Sequence, residues 1–477
     1  MKSTVKYIIA LFVAGFLFSS CKKVVDVDPS HTIDGDGFFN TVDEYDFALT
    51  GAYQRLKRNG LYGGVNGGSM FLSAADIAAD NFYNGPNNLG NLNTAFRWNY
   101  TADNASVQGA WDDAYLVIQQ ANLSMRGIDR FATTDALKVN RIEGQARVIR
   151  ALMHFELLRW WATDYDRNST ALGVPYVDKF DIEQMPARPT VKQTYDKLET
   201  DLKAARTMLS NTDRSIQSTT STAGTARAYV DRMVCDALLA RMYLYANELD
   251  SAIKYSTIVI NARPLASASV FPLIWEDAST AEVIWSIKYQ SGEPALAREV
   301  YQTSGDQLSW APVDALLGLY DAGDIRGDIY WVSRNSRIVL GKYFAKSTAS
   351  GNPDGVVDFK IFRTGEMYLI RSEAYARKTG MGTQALADLN ALRTARNAAT
   401  GNETGAALLT AIQTERRKEL LMEGHRFFDI KRTTRTINRT QDCSTFCTLL
   451  PANRAWAFPV PQTEMLANPN MVQNPGY

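Results

Sequence analysis

The strongest constraint on the fold is a helical pattern near the middle of the chain. Across residues 226–262, apolar side chains recur at spacings of three and four, which places them on one face of a helix. The stretch "LLARMYLYANELDSAIKYSTIVINARP" is interrupted once, at a polar turn between Ala240 and Ala252. These small residues allow two antiparallel helices to approach closely, and Tyr243 is placed to fill the gap between them. The pattern therefore predicts a helical hairpin.

This hairpin has the spacing of a tetratricopeptide unit, a repeat made of two helices. The positions of that unit are occupied by Leu239, Ala240, Tyr243, Ala252 and Pro264. A second pair is predicted in "EMYLIRSEAYARKTGMGTQALADLNALRTAR", residues 366–396, and a further arm at 190–209. Because one hairpin cannot bury its apolar face alone, such units stack. We predict a mainly α fold with tetratricopeptide-like hairpins as its scaffold; the alternative is a helical bundle without repeats.

Two segments lack the helical pattern. Residues from about 80 to 105 and from 265 to 360 are rich in turn residues, and the second includes short β-like runs such as "EVIWSIKY". Long irregular segments on a rigid scaffold commonly carry binding surfaces. We expect residues 41–477 to form one helical domain, with a loop-rich ligand face made by these two segments.

Aromatic residues in the irregular segments are the candidate ligand contacts. They are Phe82, Tyr83, Trp98, Trp275, Tyr301 and Trp310. Flat rings stack on the C–H faces of a sugar, while amides and carboxylates bind its hydroxyl groups. Asn84, Asn87 and Asp306 are placed for the second role. For any one of these rings, packing in the core is the alternative.

The densest group of charges lies in "TERRKELLMEGHRFFDIKR", residues 414–432. Glu415, Glu419 and Glu423 fall on one helical face. Two of them would suit the acid–base pair of a glycosidase. The alternative, which we favour, is a helix end tied by ion pairs, with Gly424 ending the helix and Phe427 and Phe428 docked on the core.

Other kinds of chemistry find little support in the sequence. With 3 His and 4 Cys, a His-rich metal site is not expected, and we predict no metal. No Walker loop, dinucleotide fingerprint or Ser-His-Asp arrangement is present, so no cofactor is expected either. The net charge of zero offers no electrostatic attraction to nucleic acid.

The N-terminus has the pattern of an export signal. Lys2 and Lys6 precede an apolar run from Tyr7 to Phe18, and two serines lead directly to Cys21. We interpret residues 1–20 as a lipoprotein signal peptide and residues 21–40 as a tether that begins at acylated Cys21. The alternative is ordinary cleavage, with Cys21 an unmodified residue of the mature chain.

Cys443 and Cys447 are four residues apart in the loop-like stretch "QDCSTFC". Outside the cytoplasm, a local disulfide between them is plausible. A zinc site is the alternative, although no histidine or second cysteine pair lies near them in the sequence.

In several stretches, taken in order, the chain resembles the SusD/RagB family of outer-membrane nutrient-uptake lipoproteins of the Bacteroidetes. The stretches are "SSC", "FFNTVDEYDFALTGAYQRL", "WDDAYLVIQQANL", "EGQARVIRALMHFELLRWW", "RSEAYARKTG", "ALADLNALRTAR", "ERRKELLMEGHRFFDIKR" and the terminal "NPNMVQNPGY". Individually they are moderately specific, and their order makes the resemblance strong.

The resemblance implies a function that the residues alone do not give. A member of this family would be lipid-anchored on the outer face of the outer membrane. It would capture a nutrient, usually an oligosaccharide, for a SusC-like TonB-dependent barrel, and would not be an enzyme. Capture of peptides or another nutrient, a surface glycosidase and a tetratricopeptide adaptor remain the alternatives. The family has no universal ligand motif, so the ring positions above come from loop placement alone.

Overall fold

The computed structural model describes residues 39–63, 69–210, 227–290, 292–293, 296–303, 305–344 and 356–477. The predicted signal peptide, the predicted lipidation site Cys21 and nearly all of the predicted tether lie outside these residues. Within the described part of the chain, no helix combines the length and hydropathy needed to cross a membrane.

Helices make up most of the regular structure. In chain order they are α1 (Val42–Arg55), α2 (Ala74–Ile77), α3 (Asn93–Arg97), α4 (Ala105–Leu123), α5 (Ala136–Trp161), α6 (Val191–Met208), α7 (Arg232–Tyr245), α8 (Leu249–Ala262), α9 (Phe271–Trp275), α10 (Asp314–Leu317), α11 (Ile325–Tyr330), α12 (Thr364–Ala376), α13 (Gly382–Ala395), α14 (Gly405–Glu419), α15 (Arg426–Arg432) and α16 (Gln462–Ala467).

The strands are short and form antiparallel pairs. In chain order they are β1 (Phe82–Asn84), β2 (Val283–Ile287), β3 (Tyr301–Gln302), β4 (Gln307–Leu308), β5 (Trp310–Pro312), β6 (Trp331–Arg334), β7 (Arg337–Leu340), β8 (Phe359–Arg363), β9 (Ile437–Asn438) and β10 (Thr448–Leu449). The pairs are β1 with β5, β2 with β8, β3 with β4, β6 with β7, and β9 with β10.

The predicted hairpin is formed by α7 and α8. Ala240 and Ala252 are fully buried, so the two helices meet where no bulky side chain separates them. The Tyr243 ring stacks on the Tyr255 ring, with centroids 5.6 Å apart. At the start of α7, the Asp231 side chain accepts a hydrogen bond from the Val234 N–H at 3.0 Å, which satisfies one of the free donors of the first turn.

The helices stack in the order of the chain. Helix α4 packs on α5, α5 on α6, α6 on α7, and α7 on α8. Helix α8 then packs on α12, which pairs with α13 and α14. Most buried apolar residues, from Phe39 to Met471, belong to one continuous core. The prediction of a mainly α, tetratricopeptide-like fold with a few short strands is therefore confirmed.

One detail of the sequence interpretation is wrong. Helix α14 ends at Glu419, so Gly424 does not terminate it. Gly424 instead has a φ of 78° and lies so close to Phe71 that a Cβ atom would stand 2.2 Å from the Phe71 carbonyl oxygen. A glycine is needed there by this close approach rather than by a helix end.

Candidate functional site

Three chain segments assemble the loop-rich side of the molecule, here called the loop face. They are β1 with the turn after it (82–91), the β3–β4 hairpin (301–308) and the β6–β7 hairpin (331–340). Strand β1 pairs with β5, which places Asn84 opposite Trp310, and the Asn87 N–H donates to the Leu308 carbonyl at 3.1 Å, which joins the first segment to the second. The Arg337 guanidinium of the third segment donates to Asn87 Oδ1 at 3.1 Å and to the Asp306 carbonyl at 2.8 Å.

Asp306 ties two of these hairpins together. Its carboxylate accepts from Asn335 Nδ2 at 2.6 Å and from the Tyr301 hydroxyl at 2.9 Å, and it forms an ion pair with Arg337. The hydrogen bonds from Asn335 and Tyr301 lower the pKa of Asp306. Because its oxygens already have these donors, Asp306 holds the hairpins of the loop face together, whereas its place in the sequence predicted a contact with a ligand hydroxyl.

Four of the six candidate rings lie in the core. Phe82, Trp275, Tyr301 and Trp310 are at most 3% exposed. The Trp310 ring packs on Phe96 with centroids 5.0 Å apart, and its Nε1–H donates to the Asn91 carbonyl at 3.2 Å. The rings of Phe82, Trp275 and Trp310 have no exposed face and cannot stack on a ligand in this conformation, so core packing fits them better than the expected ligand contact. Tyr301 is 3% exposed and lines a cavity.

The remaining candidates, Tyr83, Asn84 and Trp98, are half-buried. The Trp98 Nε1–H donates to the Ala78 carbonyl at 2.7 Å, so the indole is fixed in place. Asn84 Oδ1 accepts from Asn88 Nδ2 at 2.8 Å. The structure therefore brings Phe82, Tyr83, Asn84 and Trp310 together on paired strands, but leaves Trp275 in the core on α9.

A cavity of about 190 Å³, here called the loop-face pocket, opens beside the β3–β4 hairpin. Its lining residues are Pro272, Glu276, Tyr301, Thr303, Asp328, Ile329, Val332, Arg334, Gly341 and Phe344. Glu276, Asp328 and Arg334 are exposed, and no hydrogen bond or ion pair to another described residue engages their side chains. The pocket thus combines apolar walls with polar groups that are open to a ligand.

Glu276, Asp328 and Arg334 are not among the residues predicted from the sequence to contact a ligand. Glu276 directly follows the buried Trp275, at the end of a helix of only five residues. Asp328 and Arg334 lie on α11 and β6, two short elements that follow β1 by more than 240 residues in the chain. No periodic pattern in so short an element distinguishes a side chain that faces a pocket from one that faces solvent.

The C-terminal charged stretch holds the base of the loop face. Arg426 donates to both carboxylate oxygens of Asp80, at 2.7 and 2.8 Å. Arg417 donates to Asn81 Oδ1 at 2.7 Å and to the Asp80 carbonyl at 2.7 Å. These bonds fix the residues directly before β1, so helices α14 and α15 position the first segment of the loop face.

Arg439 fixes the same region from the other side. Its buried guanidinium donates to five backbone carbonyls, those of Ile77, Ala78, Ala79, Phe96 and Phe446, at 2.5–3.3 Å. It also lies 4.0 Å from the centre of the Trp98 ring. Burial lowers the pKa of Arg439 to about 9. A disulfide joins Cys443 to Cys447 in the hairpin that carries Arg439.

The three glutamates of the 414–432 stretch join charged residues from other parts of the chain in a buried network, here called the ion cluster. Its members are Glu282, Arg326, Arg363, Arg396, Glu415, Glu419 and Glu423, all at most 8% exposed. Arg363 alone contacts Glu282 at 2.8 Å, Glu419 at 2.7 Å and Glu423 at 2.6 Å. Every carboxylate of the network is paired, which is the arrangement of a structural core and supports the ion-pair interpretation of the sequence.

The sequence matches two families of known proteins. Residues 325–477 match the family described as the SusD family, and residues 51–244 match the one described as starch-binding and associating with the outer membrane. The two matches together span more than half of the chain. The chain belongs to the SusD/RagB family.

Relatives of this SusD/RagB chain extend over nearly its whole length. SusD-like protein P38 of Formosa agariphila is 22% identical, over 88% of this chain and 90% of that protein. A SusD superfamily protein of Bacteroides thetaiotaomicron is 25% identical, with a TM-score of 0.79 over 91% of this chain and 100% of the other. Surface glycan-binding protein A of Bacteroides fluxus shares the fold at 19% identity, with a TM-score of 0.72 over 92% and 100%.

Proposed function

We propose that this protein is a non-enzymatic, glycan-binding lipoprotein of the cell surface. It captures an oligosaccharide on its loop face and passes it to a SusC-like TonB-dependent barrel in the outer membrane. Lipidated Cys21 anchors it there, facing the cell exterior. Family membership and the surface glycan-binding protein among its structural neighbours support this function.

The observation that carries the proposal is the loop-face pocket. A sugar presents C–H faces to apolar walls and hydroxyl groups to charged or amide side chains. The pocket supplies Ile329, Val332 and Phe344 for the first, and the open side chains of Glu276 and Asp328 for the second. Tyr83, Asn84 and Trp98 on the same face are proposed to extend the contact along an oligosaccharide.

Titration calorimetry of the mature chain with maltoheptaose, xylohexaose and laminarihexaose tests the pocket. For whichever of these sugars binds, E276Q/D328N should lower the affinity at least tenfold, because hydrogen bonds to charged groups contribute about 1.5–3 kcal/mol each. The matched control is D321N, which removes an exposed carboxylate outside the pocket and should change the affinity less than about twofold.

Unchanged affinity in E276Q/D328N would contradict the assignment of the pocket. The same samples test the glycosidase alternative. That alternative has to be tested because two carboxylates line one pocket, and glycosidases use a pair of carboxyl groups. Glu276 and Asp328 are both exposed, unlike the buried acid that glycoside hydrolysis uses. We therefore expect every sugar to be recovered intact by chromatography; shortened products that E276Q abolishes would favour an enzyme.

A further inference from the structure

A larger cavity lies away from the loop face, on the helical scaffold. It has a volume of about 680 Å³ and is bounded by α4, α5, α6 and the segment 176–180. Sites for small molecules commonly measure about 300–1,000 Å³. The loop-face pocket, at about 190 Å³, is below that range. We call the larger cavity the helical groove.

The floor of the helical groove is a rigid polar network. Arg150 donates to both carboxylate oxygens of Asp201, at 2.8 and 2.6 Å, and to Asn122 Oδ1 at 2.6 Å. The Tyr176 hydroxyl donates to Asp201 at 2.6 Å. Asn122 Nδ2 in turn donates to the carbonyls of residues 177 and 179, both at 3.1 Å. These bonds hold the segment 176–180 on the helices, so the groove is preformed.

The walls carry an excess of positive charge. The lining includes five basic residues, Arg126, Arg147, Arg150, Lys179 and Lys197, and three acidic ones, Glu143, Asp178 and Asp201. Each acidic residue is already paired within the groove: Asp201 with Arg147 and Arg150, Glu143 with Arg147, and Asp178 with Lys197. The groove therefore presents a net charge of about +2 to a ligand.

The chemistry of the groove suits a sugar better than a peptide. Peptides are usually held by a strand edge or by apolar pockets for their side chains, and acidic peptides by clusters of arginines. Among the described residues that line the groove, none belongs to a strand. Its two rings are covered by cations: Arg126 lies 5.9 Å from the centre of Phe180, and Lys197 lies 5.4 Å from that of Tyr176. Polar walls and exposed cations match hydroxyl groups and negative charges.

We propose that the helical groove is a second binding site, for an acidic oligosaccharide. Lys179 and Lys197, both exposed at its rim, contact carboxylate or sulfate groups of the sugar. The proposal goes beyond glycan capture at the loop face and does not depend on it. The two sites would let the protein hold a charged glycan at one position and a further stretch of sugar at another.

Calorimetry of the mature chain with three acidic probes tests this site: hexagalacturonic acid, hexamannuronic acid and a sulfated heparin hexasaccharide. At least one should bind, and K179Q/K197Q should weaken that binding at least fivefold, since charge-assisted hydrogen bonds are lost. Raising the salt concentration should weaken it as well. The control is K192Q, which removes one exposed lysine outside the groove from α6, the helix that carries Lys197, and should change affinity less than about twofold.

Three results would overturn the proposal. One is that none of the acidic probes binds to the wild-type protein. Another is that K179Q/K197Q and K192Q bind an acidic probe equally well. The third is that hexaglutamate binds more tightly than all three sugars and loses affinity in K179Q/K197Q, which would assign the groove to acidic peptides. K179Q/K197Q tests the groove with acidic sugars and E276Q/D328N tests the loop face with neutral ones, so failure here is distinguishable from failure at the loop face.

Discussion

The ion cluster and the loop-face pocket both gather carboxylates and arginines, but the charges have opposite surroundings. In the ion cluster, Glu419 is fully buried and contacts Arg326, Arg363 and Arg396. In the loop-face pocket, Glu276 and Asp328 are exposed, and no described side chain pairs with them. Charges that are saturated by partners hold a fold together, whereas open charges on a cavity are available to a ligand.

The surroundings of Glu419 also set its ionisation. Burial alone raises the pKa of a carboxyl group, because the charged form loses water. Around Glu419, the attraction of Arg396, Arg363 and Arg326 outweighs burial and holds the pKa well below 4.5. The carboxylate therefore stays charged at neutral pH and stays bonded to its arginines, as a structural role requires.

The largest effect is expected when the ion cluster loses its central cation. In R363M, Glu282, Glu419 and Glu423 each lose a buried partner. Breaking a buried ion pair on one side costs about 3–5 kcal/mol, because a buried charge is left less compensated. Denaturant unfolding followed by circular dichroism should show a loss of that size in the free energy of unfolding.

An exposed ion pair gives the control for this prediction. Lys192 and Asp196 form a pair whose side chains are about half exposed. K192M should cost less than about 1 kcal/mol, because water screens such pairs. If R363M cost no more than K192M, the contrast between a structural cluster and an open pocket would fail.

A second prediction concerns the hairpin that carries Arg439. C443S/C447S removes the disulfide, which closes a loop of only a few residues. For so short a loop, the entropy lost by the unfolded chain corresponds to about 2 kcal/mol. The free energy of unfolding should fall by about that amount in non-reducing conditions.

The wild type and C443S/C447S should unfold at the same denaturant concentration once a reductant is added. If they already did so without reductant, the disulfide would not stabilise the hairpin. The hydrogen bonds of Arg439 would then hold the hairpin in place without help from the disulfide.

The scaffold was predictable from the sequence because its signals are local. Small residues such as Ala240 and Ala252 recur at helical spacing, and the structure places both inside the α7–α8 hairpin. The role of each ring was not predictable, because burial depends on distant partners. Trp310 is covered by Phe96, more than 200 residues away in the chain, while Tyr83 on the paired strand remains half-buried.

The smallest effect is expected at a buried carboxylate below the loop face. Asp76 is fully buried on α2; its Oδ1 accepts from Asn81 at 2.7 Å, while its Oδ2 has no partner among the described residues. Burial raises the pKa of Asp76 to about 7. Between pH 4 and 7 the folded protein therefore binds more protons than the unfolded chain, so its stability falls as the pH rises.

D76N should remove this pH-dependent loss, because the amide carries no charge at any pH. The shift of the Asp76 pKa from 3.8 to about 7 sets an upper limit of about 4 kcal/mol on this loss of stability. We expect D76N to gain about 1–2 kcal/mol at pH 8, and the gain to vanish near pH 4.

D80N is the matched control, with an effect of the opposite sign. Arg426 outweighs burial and lowers the pKa of Asp80 to about 2, so that D80N should lose stability, by a constant amount between pH 4 and 8. Denaturant unfolding of the wild type, D76N and D80N across this range measures these differences. Equal pH dependence in D76N and the wild type would mean that Asp76 is already ionised in the folded protein near pH 4, like the carboxylates of the ion cluster.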